Sequence, residues 1–272
     1  MNTSETRLTG IVLNTKVDVT SHDWTCARVC QMAEQGQRGY VCFATAHMLV
    51  EATRKNDINI AFRNAALVNP DGTPVAWCLN LMGHSDACCV NGPTNTPVLL
   101  QEAARRAIPV GFYGGRPDTL AKLRNMLGAD YPLLRVAYVY SPPFRELSRD
   151  EQLQDIAAIN ASGTQLLFVG LGSPKQEIWM SQNYCLLNCV CLGVGAVFEF
   201  LAGEKVLPPL WIQRLGLTWL VRLCQEPRRL ARRNLYSPIF AFMFLTQFGS
   251  DIGRRITGIS PRTPTSPRPD AQ

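Results

Sequence analysis

One segment of the chain has the order of a buried strand, a glycine turn and a helix start, by which α/β proteins present backbone N–H groups to a phosphate. It covers residues 166–179, with the sequence LLFVGLGSPKQEIW. Gly170 and Gly172 would let the backbone approach a ligand closely, because neither carries a Cβ atom. A charge, an amide and a carboxylate follow at the helix start, on Lys175, Gln176 and Glu177. The segment predicts a phosphate-binding turn, with an ordinary strand-to-helix connection as the alternative.

Two further glycine turns share this arrangement. Gly114-Gly115 and Gly193-Val194-Gly195 also follow predicted strands. Ligands of open α/β sheets lie outside the carboxyl ends of the strands, so three such turns favour a ligand site at that edge. The spacing at residues 170–177 differs from GxGxxG and lacks the GK[ST] ending of a P-loop. A dinucleotide oxidoreductase would need GxGxxG after the first strand and an acid about 20 residues further on, and the sequence has neither.

Apolar runs alternate with helical patterns along most of the chain. Strands are predicted at residues 11–19, with a hairpin arm as the alternative, and at 40–44, 109–113, 135–139, 165–169 and 189–194. Helices are predicted at residues 24–34, 47–54, 96–106, 118–127, 149–160 and 176–183. Another apolar run, residues 65–68, enters the strong turn signal Asn69-Pro70-Asp71-Gly72. Strands that alternate with helices predict an α/β protein with a Rossmann-like, mostly parallel sheet and helices on both faces.

The size and composition limit the class of protein. The 272 residues are enough for one large α/β domain with an appendage, and 46% hydrophobic residues supply a full core. Residues 1–20 are polar and lack the pattern of a secretory signal, so we expect a cytoplasmic protein with reduced thiols. The ten cysteines form no paired CxxC elements and the three histidines are scattered. We therefore predict structural thiols and no metal site.

The last fifth of the chain is basic and then apolar. The net charge of +6 concentrates there, which predicts an anionic partner, and the arginines of residues 228–233 fall on one helical face. Residues 236–248 are apolar and aromatic but shorter than the roughly 20 residues that span a bilayer. We favour a helix in a membrane interface over one that folds back onto the domain or makes a dimer contact. The predicted units are a catalytic domain (1–203), a basic helical appendage (204–257) and a disordered tail (258–272).

A basic nucleic-acid-binding module is the alternative from another functional class. Such a module would interleave aromatic with basic residues along a sheet or groove. Here the aromatic residues instead cluster in residues 236–248, next to the arginines, as an interfacial helix would have them.

Six ordered blocks resemble the WecG/TagA/CpsF family of bacterial glycosyltransferases and cover about residues 10 to 235. The blocks are Asn69-Pro70-Asp71-Gly72 with Pro74 and Trp77; Tyr113-Gly114-Gly115 with Pro117; Tyr131-Pro132; residues 168–172 with Pro174-Lys175-Gln176-Glu177 and Trp179; Gly193-Val194-Gly195 with Phe198, Phe200 and Ala202-Gly203; and Gly216-Leu217, Trp219-Leu220, Arg222-Leu223 and Glu226-Pro227-Arg228-Arg229. The resemblance implies a UDP-sugar donor, inverting transfer to a lipid-diphosphate-linked saccharide at the cytoplasmic membrane face, and no metal or other cofactor. It also implies that the basic C-terminal segment docks on the membrane and completes the active site.

The resemblance also implies roles for individual residues. Inverting transfer needs a base for the acceptor hydroxyl and positive charge for the departing diphosphate. Asp71 matches the family's base, and an Asx-turn residue is its structural alternative. Arg222, Arg228 and Arg229 match the segment that stabilises the leaving group, for which arginine forks are suited, with a solvated face or lipid contact as the alternative. The predicted substrate-binding residues are Thr45, His47, Asn69, Gly114, Gly115, Gly170, Gly172, Lys175, Gln176, Glu177 and Gly195.

Two of these residue assignments, those of Glu177 and His47, keep a structural alternative. Lys175 and Gln176 are expected near the uridine diphosphate. Glu177 suits equally the first turn of a helix, where its charge is favourable at the helix dipole. His47 is expected near the acceptor or the sugar, and a structural role at the helix start is its alternative.

The sequence also departs from the family pattern. Where the family carries T-x-N, Phe43 takes the threonine position and Thr45 the asparagine position. A polar contact is then lost or moved, which argues against the family's usual N-acetylmannosamine-type donor. Glu199, Thr218 and residues 207–209 also differ, in a way similar to the exopolysaccharide branch with its xanthan-type β-1,4-glucosyltransferase. We therefore expect UDP-glucose as donor and glucosyl-diphosphate-polyprenol as acceptor, with transfer of N-acetylmannosamine or its uronic acid, for teichoic acid or common antigen, as the alternative.

Overall fold

A parallel sheet of six strands forms the centre of the molecule, in a computed structural model that describes residues 7–209, 212 and 236–257. The strand order is β4-β3-β8-β7-β5-β6, and each recorded pairing in this sheet is parallel. Its strands are β3 (Gly39–Ala44), β4 (Leu67–Pro70), β5 (Val110–Gly114), β6 (Val136–Tyr140), β7 (Leu166–Gly170) and β8 (Val190–Gly193). The predicted α/β class with a parallel sheet is confirmed.

Helices cover both faces of the sheet. They are α1 (His22–Glu34), α2 (Ala46–Arg54), α3 (Asn56–Arg63), α4 (Thr73–Leu81), α5 (Gly92–Arg105), α6 (Pro117–Asp130), α7 (Arg149–Ala161), α8 (Lys175–Asn183), α9 (Val197–Leu201) and, numbered within the described residues, α10 (Tyr236–Thr257). One core cluster holds buried side chains of α2, α3, α7, α8 and α10. The other holds those of α1, α5, α6 and α9. Strand interiors are apolar on both sides, as parallel strands between two helical layers must be.

The predicted strand at residues 11–19 is a small antiparallel hairpin, β1 (Thr9–Val12) and β2 (Thr15–Asp18). Leu13 and Asn14 connect its strands with φ values of 48° and 65°. A two-residue turn with both φ values positive is the type that matches the twist of a hairpin. Asparagine tolerates a positive φ, whereas leucine is not a residue that indicates such a turn. The sequence pattern of residues 11–19 therefore resembled one continuous strand.

The C-terminal helix α10 is longer than the apolar run that predicted it. It extends over 22 residues, from Tyr236 to Thr257. Phe240 and Phe244 are buried in the same core cluster as α2, so one face of α10 does fold back onto the domain. Within the described residues, no helix has both the length and the apolar character that crossing a bilayer requires. The proposed unit boundary near residue 204 and contact of α10 with a membrane stay predictions.

Candidate active site

The carboxyl ends of the six parallel strands meet at one edge of the sheet, and most of the predicted site residues lie there. Asp71 directly follows β4, Thr45 follows β3, and Gly195 and Gly172 lie just beyond β8 and β7. Gly114 ends β5. Neighbouring strands are about 4.8 Å apart, so the end of β8, before Gly195, lies about 10 Å along this edge from the end of β4, before Asp71, and the end of β7, before Gly172, about 14 Å. The edge therefore brings residues distant in sequence to one surface.

The Asp71 turn is held on two sides. The Asp71 N–H donates to the carbonyl of Ala44 at 3.0 Å, which ties the turn to β3. The Gly72 N–H donates to Cys89 Sγ at 3.2 Å. Gly72 has a φ of 95°, a conformation for which glycine is favoured, and α4 begins at the next residue. The Asp71 carboxylate is thus carried at the sheet edge on a fixed, half-buried turn.

Cys89 is a neighbour of Asp71 that sequence reasoning missed, because we had treated it only as a structural thiol. Burial, and after it the negative charge of Asp71, raise the pKa of its thiol to about 11. The thiol is therefore neutral near pH 7. No local pattern links residues 71 and 89, since their contact depends on how β4 and the segment before α5 pack.

Asn69 lies beneath this turn rather than on its surface. Its side chain is fully buried, and its Oδ1 accepts hydrogen bonds from the hydroxyls of Thr20 and Thr25, both at 3.1 Å. These bonds join the end of β4 to the start of α1. The contacts show Asn69 as a support of the turn, while its substrate contact stays a prediction.

The predicted residues on α2 meet the C-terminal helix. Thr45 caps α2, because its hydroxyl accepts the N–H of Met48 at 3.3 Å. The ring of His47 packs edge-on against that of Tyr236, with 4.4 Å between centroids. The Tyr236 hydroxyl donates to Glu51 Oε1 at 2.7 Å. Tyr236 therefore brings α10 to the helix that starts at the site, a contact across 185 residues that no local sequence signal shows.

The contact of Tyr236 with Glu51 predicts a pH-dependent attachment of α10. The Glu51 pKa is lowered, first by the hydrogen bond from Lys55 and then by that from Tyr236. A lowered pKa stabilises the fold above the ordinary value of the carboxyl, and this stabilisation is lost as pH falls through the lowered pKa. We expect Tyr236→Phe to raise the Glu51 pKa, so that α10 amides become exchangeable at a higher pH than in the unmodified protein.

The measurement is hydrogen exchange of the α10 amides across an acid pH series, with an NMR titration of Glu51. Ser237→Ala, at the exposed neighbouring position, is the matched control and should leave both unchanged. An unshifted Glu51 titration in Tyr236→Phe would show that this hydrogen bond does not hold the helix.

The glycine turns divide into two kinds. A Cβ on Gly114 would lie 2.6 Å from the Gly170 carbonyl, and one on Gly170 would lie 2.5 Å from the ring of Phe198. A Cβ on Gly115 would also approach Phe198, at 3.0 Å. Gly172, in contrast, has a φ of 79° and no described atom within 4 Å of that position. Gly114, Gly115 and Gly170 thus allow close packing, whereas the space beside Gly172 is open, and its contact with a substrate stays a prediction.

This division predicts a large stability effect at Gly170. The buried Phe198 ring cannot move aside, so we expect Gly170→Ala to lower the free energy of unfolding by about 1–3 kcal/mol. Gly128→Ala in α6 is the matched control: nothing lies within 4 Å of its Cβ position, and the change should be neutral or stabilising by up to about 1 kcal/mol. Urea denaturation of both variants checks this, and equal stability would refute the steric role of Gly170.

The start of α8 brings a buried amide to the Gly195 turn. Gln176 Nε2 donates to the Gly193 carbonyl at 2.8 Å and to Glu177 Oε1 at 2.9 Å. Gln176 Oε1 is buried, has no hydrogen-bond partner among the described residues, and lies 3.6 Å from where a Gly195 Cβ would be. An acceptor in that position can receive a hydrogen bond from a ligand at the turn.

Lys175 and Glu177, the residues on either side of Gln176, differ in exposure. Glu177 is buried in the first turn of α8, where Ser173 Oγ also donates to its carboxylate at 2.9 Å. Lys175 is exposed at the start of the same helix.

All three predicted catalytic arginines, Arg222, Arg228 and Arg229, lie outside the described residues.

The fold and this edge define an α/β protein of the doubly wound kind, with its candidate ligand site at the carboxyl ends of a parallel sheet. The sequence model of the Glycosyl transferase WecG/TagA/CpsF family matches residues 11–251. The chain belongs to this family, which confirms the resemblance and implies a glycosyltransferase with a sugar-nucleotide donor and a lipid-linked acceptor. Membership favours a transferase over the nucleic-acid-binding alternative.

Proposed function

We propose that this protein is an inverting hexosyltransferase that moves glucose from UDP-glucose to a polyprenyl-diphosphate-linked sugar in bacterial exopolysaccharide assembly. The observation that carries the proposal is the position of Asp71 at the sheet edge that also holds the open Gly172 turn and the buried acceptor of Gln176. The donor is a substrate, and we propose no metal and no further cofactor.

The proposed reaction transfers one proton to the enzyme and releases one leaving group, UDP. The Asp71 carboxylate takes the proton of an acceptor hydroxyl while that oxygen forms a bond to C1 of the donor sugar. The bond between C1 and the diphosphate oxygen breaks from the opposite side, and its electron pair leaves with UDP, which inverts C1. In this proposal Arg222, Arg228 and Arg229 stabilise the departing diphosphate by bidentate hydrogen bonds, a role that comes from the family resemblance.

The arrangement along the sheet edge supports this division of roles. With the reacting sugar at Asp71, the diphosphate would extend toward Gly195 and Gly172, which follow strand ends about 10 and 14 Å away along the edge. A deprotonated diphosphate has no hydrogen-bond donor, so Gln176 Oε1 would accept a hydrogen bond from a ribose hydroxyl of the donor instead, and the exposed Lys175 can supply a positive charge to the diphosphate.

The identity of the donor is supported by the side chains at the end of β3 and directly after it. Phe43 is buried in a core cluster, so the position that carries threonine in the family presents no hydroxyl to the site. Thr45 uses its hydroxyl to cap α2. Fewer polar contacts are thus available for an N-acetyl group, which agrees with a plain hexose.

The proposed location is the inner face of the cytoplasmic membrane, where the protein is peripheral and meets its lipid-linked acceptor. The apolar residues on the outer face of α10 support this, together with the +6 net charge, which favours anionic lipid.

A donor panel tests the proposal. The full chain is incubated with a synthetic glucosyl-diphosphate-lipid and, separately, with UDP-glucose, UDP-N-acetylglucosamine and UDP-N-acetylmannosamine. We expect transfer from UDP-glucose alone, with a β linkage by NMR because UDP-glucose is an α-anomer. Preference for UDP-N-acetylmannosamine would replace the glucosyl assignment with the alternative. An α-linked product would overturn the inverting mechanism.

A further inference from the structure

The helix that begins beside Asp71 is apolar on its outer as well as its inner face. Inside, Val75 and Leu79 of α4 are fully buried. Outside, the large side chains of Trp77 and Leu81 are 56% and 61% exposed, four residues apart on one face. The helix, with sequence TPVAWCLNL, carries no charged residue. A helix that is hydrophobic all round is normally covered on every side, so this outer face needs a partner.

The neighbouring elements also expose large apolar side chains. β1 lies against α4, since a Cβ on Gly10 would be 2.5 Å from Leu79 Cδ2, and this segment exposes Ile11 of β1 and Leu8 directly before the strand. The next neighbour is α10, because Gln247 Nε2 donates to the Ile11 carbonyl at 2.7 Å. It exposes Phe242 and Leu245 on the side away from its buried phenylalanines. Three adjacent segments thus each present two large apolar side chains to solvent.

We propose that α4, β1 and α10 together form a bilayer-docking face, with Trp77 inserted at the membrane interface next to Asp71. The inference rests on the proposed function, because a lipid-linked acceptor must keep its chain in the bilayer while its sugar reaches Asp71. α4 starts two residues after Asp71, so a membrane on its outer face lies beside the base. Tryptophan prefers the interface between lipid and water, and α4 carries no acidic residue that anionic lipid would repel.

A pair of exposed side chains on the far side of the sheet provides the matched control. Leu133 and Phe144 are 78% and 86% exposed and flank β6, at the sheet edge opposite β4. They are more exposed than Trp77 and Leu81 but lie away from Asp71. If any exposed apolar residue promoted membrane binding, both pairs would matter equally.

The test compares Trp77→Ser/Leu81→Ser with Leu133→Ser/Phe144→Ser in the full chain, by flotation with phosphatidylglycerol-containing vesicles. We expect the first double variant to bind roughly 10- to 100-fold more weakly and the second to bind as the unmodified protein does. Thermal melting should be unchanged in both, since the replaced side chains are exposed. Equal binding by both variants, equal loss in both, or no vesicle binding by the unmodified protein would overturn the proposal.

Activity separates this inference from the proposed function. The Trp77→Ser/Leu81→Ser variant should lose transfer to a long-chain acceptor in vesicles but keep transfer to a short-chain, water-soluble acceptor. Absence of transfer by the unmodified protein to either acceptor would reject the proposed function, while the vesicle result would still decide on the docking face. A dimer in lipid-free solution that the first variant dissociates would assign the face to a second copy and overturn the lipid assignment.

Discussion

Replacing Asp71 with asparagine is expected to lower kcat roughly 10²- to 10⁴-fold, the range by which general base catalysis contributes to enzymatic rates. Asparagine has the same shape but cannot take the proton of the acceptor hydroxyl. The Asp71 backbone N–H bond to Ala44 and the Gly72 bond to Cys89 do not involve the carboxylate, so both bonds of the turn remain. UDP-glucose should therefore bind with nearly unchanged Kd, which isothermal titration calorimetry measures beside the transfer rate.

Asp86→Asn is the matched control for this change. Asp86 is exposed on the loop that leads to Cys89, so its substitution removes the same charge close by without touching the turn. Its kcat should stay unchanged. Normal turnover by Asp71→Asn would remove Asp71 from the catalytic role, and equal losses in both variants would indicate a general effect of charge rather than a base.

The sheet could be predicted from the sequence because five of its six strands, all but the edge strand β6, are buried. An uninterrupted run such as residues 165–169, followed by glycine and a helical pattern, has few other interpretations. The strand order could not be predicted in the same way. β7 lies between β5 and β8 because of right-handed crossovers and core packing, which join residues far apart in the chain.

Sequence reasoning was less reliable for short helices. The helices Asn56–Arg63 and Thr73–Leu81 were not predicted, although the second begins directly after the Asp71 turn. The Asn69-Pro70-Asp71-Gly72 pattern predicted the turn correctly, but it gave no indication of the helix that follows the turn. Pro74 lies in the first turn of that helix, a position where proline is compatible with helix geometry.

The candidate site could be predicted only in part, because its supports come from distant residues. The sequence indicated the edge that carries Asp71 and Gly172, and it treated the glycine turns alike. The structure separates them, since Phe198 fills the space beside Gly170 whereas none of the described atoms does so beside Gly172. No local pattern predicts which glycine meets an aromatic ring after folding.

The C-terminal helix was predicted as an apolar segment for a membrane interface, and its inner face instead fills part of the domain core. Phe244 is 4% exposed and stacks between Phe240 and Phe248, with ring centroids 6.5 and 5.8 Å away. We expect Phe244→Ala to cost about 3–5 kcal/mol, the usual range for removing a buried phenylalanine. The loss should release α10 from α2 before the rest of the domain unfolds, because α2 is the main element on which α10 packs. Hydrogen exchange of α10 amides and urea denaturation measure both effects.

Leu245→Ala provides the control within the same helix. Leu245 is the next residue, is 64% exposed and lies on the outer face, so its substitution should change stability by no more than about 0.5 kcal/mol. If α10 acts only as a membrane anchor, Phe244→Ala and Leu245→Ala should have similarly small effects on stability in lipid-free solution. A large difference between these neighbours would instead show that the helix has one face that packs on α2 and carries Tyr236 to His47, and another that adds nothing to the stability of the domain.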